Sequence, residues 1–282
     1  MTEIGHIYTL PMLETTANGV FLDADNLGKV LLPRRSVPAG LSVGDNVNVF
    51  LYLDSEDRLV ANTRMPTVTV GQFAYLPVVD VNDVGAFLDW GLEKDLLVPY
   101  MEQHRPMQQG QSYLVYVYVD KVHGRIVASS KIERFLDDDR RHYFRAGQPV
   151  DLIIANSTEL GHKAIINHSH WGVLHAADVD QRLSFGQSIK GYIKHIRPDA
   201  RIDLALQSGK AALDQQAAKI RSYLEKQGGF APLSDKSGPE QIKKLFGMSK
   251  SAFKKSIGIL YKERIIDIEK TGIRLVSDEN QS

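Results

Sequence analysis

The sequence contains no cysteine among its 282 residues, and this absence excludes several kinds of chemistry. Without thiols the chain forms no disulfide, no thiolate nucleophile and no cysteine-ligated zinc site. It also lacks an apolar run of membrane-spanning length, and its N-terminal segment has no basic stretch followed by a long apolar one. We therefore expect no membrane span and no signal peptide, and we predict a cytoplasmic protein.

The chain has no excess of charge of either sign, with 34 basic and 34 acidic residues. This balance conceals a gradient along the chain. The net charge is −3 in residues 1–65, −3 in residues 66–143, +1 in residues 144–208 and +5 in residues 209–282. Because clustered Lys and Arg bind phosphate backbones, the C-terminal half is the better surface for a nucleic acid.

An internal repeat organises most of the sequence. Gly5, Gly71 and Gly147 open three similar segments at spacings of 66 and 76 residues. The same two spacings recur at Leu10, Leu76 and Leu152; at Gly19, Gly85 and Gly161; at Pro33, Pro99 and His175; and at Gly44, Gly110 and Gly186. The chain therefore contains three copies of one unit, and the charged run at residues 137–143 is most simply a solvated linker between the second and third copies.

Each copy consists of short runs of β-branched and aromatic residues between glycine-rich turns, a pattern typical of strands. The second copy shows it best, in QFAYLPVVDV, GAFLDW, DLLVPY, SYLVYVYVD and GRIVASS. Five short strands suit a small barrel, which leaves no exposed strand edge. Alternation within GAFLDW puts Ala86 and Leu88 on the core side and Phe87 outside, and we expect Phe21 of the first copy to face outward as well.

Helical patterns replace the strands after the third copy. Residues 211–227 are rich in helix formers and stop at a Gly-Gly pair, and Ser237-Gly-Pro-Glu240 has the spacing of a capping box at the start of a second helix. Ser249 begins a third helix, and a hairpin turning near Gly272 follows. Three helices and a hairpin predict a winged helix, and we expect the tail at residues 277–282 to be disordered.

These segments resemble known families. The units built around GVFLD…VLLP and GAFLDWG…LLVP, closing on RIVASS, resemble the RNA-binding OB-fold repeat named after ribosomal protein S-one. The segment LSDKSGPEQIKKLFGMSKSAFKKSIGILYKERIIDIEKTGIRL resembles the C-terminal winged helix of the conserved virulence factor B family, in which such a winged helix follows three such repeats. The resemblance implies a non-enzymatic, cytoplasmic bacterial RNA-binding regulator of gene expression that needs no cofactor.

The predicted fold is mainly β with an α+β C-terminal domain, as three tandem five-stranded OB-fold barrels followed by a winged helix. The predicted domains are residues 1–65, 66–134 and 144–208 for the three repeats and residues 211–276 for the winged helix.

The resemblance implies a role for a few repeat positions. In the usual repeat, an aromatic residue two positions after the mid-strand glycine stacks on a base, and a His ends the third strand. Phe21 and Phe87 match the first position, which Lys163 occupies in the third copy, whereas only His175 matches the second. Phe21 and Phe87 either stack on bases or pack against a neighbouring domain. We expect the linked modules to bind together through their effective concentration.

Other residues of the repeats are also candidates for RNA contact. Trp90 is either a stacking platform or a core residue at the rim, and Arg58 and Arg125 hold repeat positions that serve either RNA or a turn. A basic group in the third copy either clamps phosphates or forms a solvated strand face. It consists of Lys190, Lys194, His195, Arg197 and Arg201.

In the winged helix, the third helix is the element that meets phosphates or base edges. Its basic residues and those leading to the wing are candidates for contact with RNA or with duplex nucleic acid, and the alternative is an ordinary solvated helix face. They are Lys250, Lys254, Lys255, Lys262, Arg264 and Lys270.

Two other functions remain open on the sequence alone. One is a DNA-binding transcription regulator that reads DNA through the winged helix, and the other is a nuclease or an accessory subunit of an RNA-processing enzyme. The chain lacks phosphate-loop and dinucleotide-binding fingerprints, and the aspartates at 137–139 have no scaffold that would make them converge. His168, His170 and His175 match no zinc spacing with a known mechanism. We predict no enzyme and no bound metal.

Overall fold

The structure is a computed structural model, and it describes residues 1–136, 143–159, 161–179 and 181–276. The predicted linker, apart from its last residue, and the predicted disordered tail lie outside the described residues, as do the three aspartates at 137–139. The chain divides into two compact units. One contains the first two repeats and most of the third, and the other contains the C-terminal domain with residues 144–149 and 191–195.

The first repeat forms a closed five-stranded barrel with the strand order β1-β2-β3-β5-β4. All neighbouring strands are antiparallel except β3 and β5, which run parallel through the pair Leu31 and Val60. Alternate side chains fill the interior, as Val20 and Leu22 do on β2. The strands are β1 (Ile7–Thr16), β2 (Gly19–Asp23), β3 (Lys29–Pro33), β4 (Asn46–Leu53) and β5 (Leu59–Asn62).

The second repeat forms a five-stranded sheet with the order β10-β9-β6-β7-β8. Its two end strands, β8 and β10, lie side by side, so the sheet curls into a barrel like the first one. Leu88, Leu96 and Val98 are fully buried inside it. The strands are β6 (Phe73–Asn82), β7 (Gly85–Leu88), β8 (Leu96–Pro99), β9 (Ser112–Val119) and β10 (Ile126–Ser129).

The third repeat is again a closed barrel, in the order β11-β12-β13-β15-β14, which matches the first barrel strand for strand. With the C-terminal domain described below, the three barrels confirm the predicted fold class, while the predicted domain boundaries stay a prediction. The strands are β11 (Pro149–Thr158), β12 (Gly161–Ile166), β13 (His170–His175), β14 (Ser188–Ile196) and β15 (Ile202–Ala205).

The recurrence of glycine at the start of the second strand of every barrel has a steric cause. At Gly85 the backbone has a φ of +155°, and a Cβ atom would lie 2.3 Å from the carbonyl oxygen of Val98 on the neighbouring strand. Gly19 and Gly161 have φ values of +149° and +142°, with the same close approach at 2.1 Å. No larger residue fits there without moving the backbone.

A β-bulge also occurs at the same place in each barrel, on the first strand. The register shifts lie between Met12 and Glu14, between Val78 and Asp80, and between Ile154 and Asn156. These positions keep the spacings of 66 and 76 residues found in the sequence, so the repeat extends to the local irregularities of the sheet.

Within the first unit, adjacent barrels share apolar side chains. Phe50 of the first barrel is fully buried in the core cluster of the second barrel, where its ring meets Trp90 edge-on at 5.5 Å. Phe73 of the second barrel is buried in one cluster with Ile153 and Ile165 of the third. The repeats in this unit are therefore not structurally independent domains, because each junction buries apolar surface of both neighbouring barrels.

The C-terminal domain packs three helices on a small sheet with the order β16-β18-β17. Ile220, Ile242, Phe253 and Ile257 from the three helices are buried in one cluster. The hairpin β17–β18 was predicted, but the additional two-residue strand β16 was not. The elements are α1 (Gly209–Lys226), β16 (Phe230–Ala231), α2 (Pro239–Phe246), α3 (Lys250–Lys262), β17 (Ile266–Ile268) and β18 (Ile273–Leu275).

Helix α2 begins differently from the prediction. Its N-cap is Gly238, whose backbone N–H donates to Oε1 of Gln241 at 3.3 Å, so the predicted pairing of Ser237 with Glu240 is wrong. Ser237 instead accepts a hydrogen bond from the backbone N–H of Ser234 at 2.9 Å. Proline at the first helical position is retained, as expected for a residue without an N–H group.

Candidate nucleic-acid interface

Phe21 and Phe87 occupy equivalent places on the outer faces of the first two barrels. Phe87 lies on β7 opposite Leu97 of β8, and it is partly exposed, whereas its neighbours Ala86 and Leu88 are fully buried. Phe21 is partly exposed in the same position on β2. The predicted alternation of faces is therefore confirmed, and the two rings lie on the strands with which small barrels of this kind bind oligonucleotides.

A cavity of about 460 Å³ opens beside Phe87, where the second barrel meets the first. Its volume lies in the range of small-molecule sites. We call it the Phe87 slot. Its lining includes Tyr52 from the first barrel and Phe87, Glu93, Lys94, Asp95 and Arg125 from the second.

Trp90 has no exposed ring face on which a base could stack. Its side chain is only 4% exposed, it packs against Phe50, and its indole N–H donates to the backbone oxygen of Lys94 at 2.7 Å. Of the two predicted roles of Trp90, that of a stacking platform is therefore wrong. Trp90 is a core residue that also lines the Phe87 slot.

Arg58 and Arg125 hold equivalent repeat positions and are exposed, but both form ion pairs with aspartates. Arg58 donates from Nε and Nη2 to Asp54 at 2.9 and 2.8 Å, within its own turn. Arg125 reaches the first barrel, where Nε and Nη2 donate to the two oxygens of Asp57 at 2.8 and 2.6 Å. These hydrogen bonds lower the pKa of Asp57. Arg125 thus bridges two barrels in a two-point geometry that suits a carboxylate or a phosphate.

In the third barrel, Lys163 takes the place of the two phenylalanines and lies on another aromatic ring. Its Nζ is 3.7 Å from the ring centroid of Trp171, a residue that the sequence analysis missed. Glu133, from the short turn after β10, approaches both, with Oε1 at 3.8 Å from Nζ of Lys163 and Oε2 accepting from the indole N–H of Trp171 at 3.1 Å. The third barrel therefore presents a cation and an aromatic ring together, covered at one side by a carboxylate.

His175, Arg197 and Asp203 form a compact polar group beside this pair. Arg197 donates from Nη2 to Oδ1 of Asp203 at 2.7 Å and from Nε to Oδ2 at 3.0 Å, and Nε2 of His175 lies 2.9 Å from Oδ1. The hydrogen bonds from Arg197, followed by that with His175, hold the pKa of Asp203 below its usual value. Asp203 was not predicted as a site residue, although it occupies the repeat position of Val60 and Val127, where a charge departs from the pattern.

The remaining basic candidates of the third repeat lie at its surface. Lys190 pairs with Asp151, and Nε of Arg201 lies 3.6 Å from Asp199, so each carries a neutralising partner. Lys194 and His195 are exposed on β14. Exposed pairs of this kind contribute about 0–1 kcal/mol, so a phosphate can displace the carboxylate at low cost.

Most of the basic candidate residues of the C-terminal domain lie at its surface, outside the core. Phe253, Ile257 and Leu260 are buried on α3, which leaves the intervening lysines outside. Lys250 is partly buried and its Nζ lies 3.5 Å from the backbone oxygen of Lys236. The exposed residues are Lys254, Lys255, Lys262, Arg264 and Lys270.

The three histidines considered as a metal set are engaged elsewhere or dispersed. Nδ1 of His168 accepts the backbone N–H of Phe73 at 3.0 Å, and His175 belongs to the group described above. Among the described residues, no three histidine or acidic side chains are grouped so as to hold a metal ion. The same residues include no helix that is long and apolar enough to cross a bilayer.

Comparisons with known proteins agree with this arrangement. Residues 218–275 match the CvfB-like winged helix domain, and residues 4–64 and 70–131 each match the S1 domain. The resemblance to the conserved virulence factor B family is confirmed. S1 domains have the small barrel fold that binds oligonucleotides, and winged helices also bind nucleic acids, so the chain carries nucleic-acid-binding domains of two kinds.

Relatives cover most of the chain. It is 29% identical to conserved virulence factor B of Staphylococcus aureus strain N315, over 83% of this chain and 81% of that protein. It is 29% identical to the uncharacterized protein YitL of Bacillus subtilis, over 92% and 89%. A solved structure, a multidomain protein with nucleic acid binding domains from Streptococcus pneumoniae, is 25% identical, covering 97% of this chain and 98% of that chain, with a TM-score of 0.39.

Proposed function

We propose that this protein binds single-stranded RNA and acts in the cytoplasm as a post-transcriptional regulator without catalytic activity. The observation that carries the proposal is the partly exposed phenylalanine at one position in both front barrels, Phe21 and Phe87, each between two buried neighbours. Stacking of an unpaired base on such a ring contributes about 1–3 kcal/mol and requires a strand that is not already paired.

The distribution of charge gives the front barrels and the rest of the chain different roles in binding, namely base stacking and phosphate contact. Residues 1–65 and 66–143 each have a net charge of −3, so the first two repeats attract phosphates poorly and contribute stacking. The third barrel presents Lys163 and the Arg197 group, and the C-terminal domain adds a net charge of +5. A strand bound by several such weak modules gains affinity through their effective concentration, provided that it reaches them at once.

A filter-binding panel of single-stranded RNA, duplex RNA and duplex DNA tests this proposal. We expect single-stranded RNA to bind best. Phe87→Ala should weaken binding by about 1–3 kcal/mol without changing the salt dependence, whereas Lys163→Ala should reduce the slope of log affinity against log salt by about one. Val122→Ala, which trims an exposed apolar side chain of the same barrel outside the Phe87 slot, is the control and should leave binding unchanged. Absence of RNA binding at moderate salt would contradict the proposal.

A second candidate is a DNA-binding transcription regulator, and the exposed Lys254 and Lys255 on α3 favour it. In a winged helix this helix enters the major groove. Binding of duplex DNA that is lost in Lys254→Ala/Lys255→Ala supports this function. Lys243→Ala/Lys244→Ala removes the same charge from exposed positions on α2 and should leave such binding nearly intact.

A further inference from the structure

The Phe87 slot has a wall from each of two barrels, and the wall from the first barrel is rigid. The ring of Tyr52 stacks on Phe50 with centroids 6.1 Å apart and an angle of 20°, and Phe50 in turn meets the buried Trp90. Burial raises the pKa of Tyr52, so its hydroxyl stays neutral. A flat neutral group entering the slot therefore meets aromatic surface that is already held in place, at little cost in side-chain entropy.

The slot also contains a carboxylate that is unpaired among the described residues. Asp95 comes directly before β8, two residues before Leu97, which faces Phe87 across the two strands, and it lines the same slot as Phe87. It is partly buried, and none of the described residues donates a hydrogen bond to its side chain. Burial, and then the charges of Asp89 and Asp80, raise the pKa of Asp95. An acceptor in such a place gains from a ligand that brings N–H donors.

Two acidic and two basic residues line the slot, and Asp95 differs from the other three in its contacts. Glu93 pairs with Arg35 at 2.7 Å, Arg125 pairs with Asp57, and Nζ of Lys94 donates to the backbone oxygen of Asp54 at 3.3 Å. The carboxylate of Asp95 is therefore the charge that a ligand meets in the slot, and it favours a base with N–H donors over a phosphate. Among the bases, guanine offers two adjacent donors, N1–H and the 2-amino group, which match the two oxygens of one carboxylate. Adenine, cytosine and uracil each place an acceptor next to their donor, and that acceptor would face a carboxylate oxygen.

We propose that the Phe87 slot reads one unpaired guanine of the bound strand, with the ring between Phe87 and Tyr52 and the N1–H and 2-amino groups donating to Asp95. The proposal rests on the proposed binding of single-stranded RNA and adds base selectivity to it. The selective residue, Asp95, and the first-barrel wall, Tyr52, lie outside the repeat positions that the sequence singled out.

Oligouridines that carry one central guanine, inosine or adenine test the proposal with the full-length protein. We expect the guanine strand to bind on the order of 10-fold more tightly than the adenine strand, with inosine between them because it lacks the 2-amino group. Asp95→Asn should remove this preference, since an amide presents a donor where guanine needs an acceptor. Asp83→Asn removes the same charge from an exposed turn of the same barrel and should keep the preference.

The outcomes separate the selectivity from the binding on which it depends. Binding of all three strands with equal affinity, or a guanine preference that survives Asp95→Asn, overturns the slot assignment and leaves the proposed function standing. Loss of the preference in both aspartate variants also overturns it, because the effect would then be one of net charge. No binding of any strand overturns both proposals.

Discussion

Replacing Glu133 by glutamine should strengthen the binding of single-stranded RNA by the third barrel. This carboxylate occupies the side of the Lys163–Trp171 pair and competes with any phosphate that approaches the ammonium group. Glutamine keeps an oxygen that accepts from the indole N–H of Trp171, so the turn stays in place while the competing charge disappears. The variant therefore isolates the electrostatic competition from the local fold.

The expected gain is small and can be worked out from the geometry. The side chains of Glu133 and Lys163 are 71% and 41% exposed and their charged atoms are 3.8 Å apart. In surroundings close to water, unit charges at this distance attract by about 1 kcal/mol, and exposed pairs rarely exceed that value. Release of this attraction raises the affinity by about 3- to 5-fold, because 1.4 kcal/mol corresponds to tenfold.

Fluorescence anisotropy with a labelled oligouridine measures this gain at about 0.05 M and about 0.5 M salt, where screening should reduce it. Glu159→Gln is the matched control, since Glu159 is an exposed carboxylate in the β11–β12 turn of the same barrel. An equal gain from both variants would mean that only net charge matters. An unchanged or weaker affinity in the Glu133 variant would refute the competition.

Three further predictions concern stability. Gly85→Ala should lower the free energy of unfolding by about 3 kcal/mol or more, because the new Cβ would meet the carbonyl oxygen of Val98. Gly110→Ala in the same barrel, where φ is +80° and the surrounding space is open, should lower it by about 1–2 kcal/mol. Urea unfolding followed by tryptophan fluorescence measures both values. Ser256→Ala should stabilise the C-terminal domain by about 1 kcal/mol in thermal unfolding followed by circular dichroism, because the buried hydroxyl has no hydrogen-bond partner among the described residues. Destabilisation would contradict this. The pKa of Asp203 is lowered in the folded state, so its pairing stabilises the fold above the usual carboxyl pKa, and this stabilisation is lost on acidification. In urea unfolding at a series of pH values, the stability advantage over Asp203→Asn should be present at about pH 5, shrink near pH 4 and vanish at lower pH. An advantage independent of pH would refute this role.

The architecture was predictable because its determinants are local. Gly19, Gly85 and Gly161 recur in the sequence since a neighbouring carbonyl oxygen leaves no room for a side chain, and alternation along β7 correctly separated Phe87 from the core. Such constraints act between residues close in the chain or in adjacent strands. The periodicity of the sequence was therefore enough to predict the fold class, whereas strand β16 has only two residues and is too short to show a period.

The site was less predictable because its decisive contacts join distant residues. Trp90 was ambiguous until Phe50 of the preceding barrel was seen against it, and nothing local in the sequence places Glu133 beside Trp171. Asp203 was the exception, since a comparison of the three copies exposes a charge where the others have valine. The repeats in this chain are thus informative in two ways. Residues that recur in all three copies indicate the fold, and a residue that departs from the other copies indicates a candidate site.

The burial of Phe50 in the second barrel has a practical consequence for dissecting the chain. A fragment that ends after the first repeat would leave this fully buried ring facing water, and a fragment that starts at the second repeat would lose the ring that covers Trp90. Both fragments would expose an apolar patch, and such a patch promotes self-association. The front two barrels should therefore be handled as one piece. Because Phe73 of the second barrel is buried with Ile153 and Ile165 of the third, a dependable fragment for binding work includes the third barrel as well.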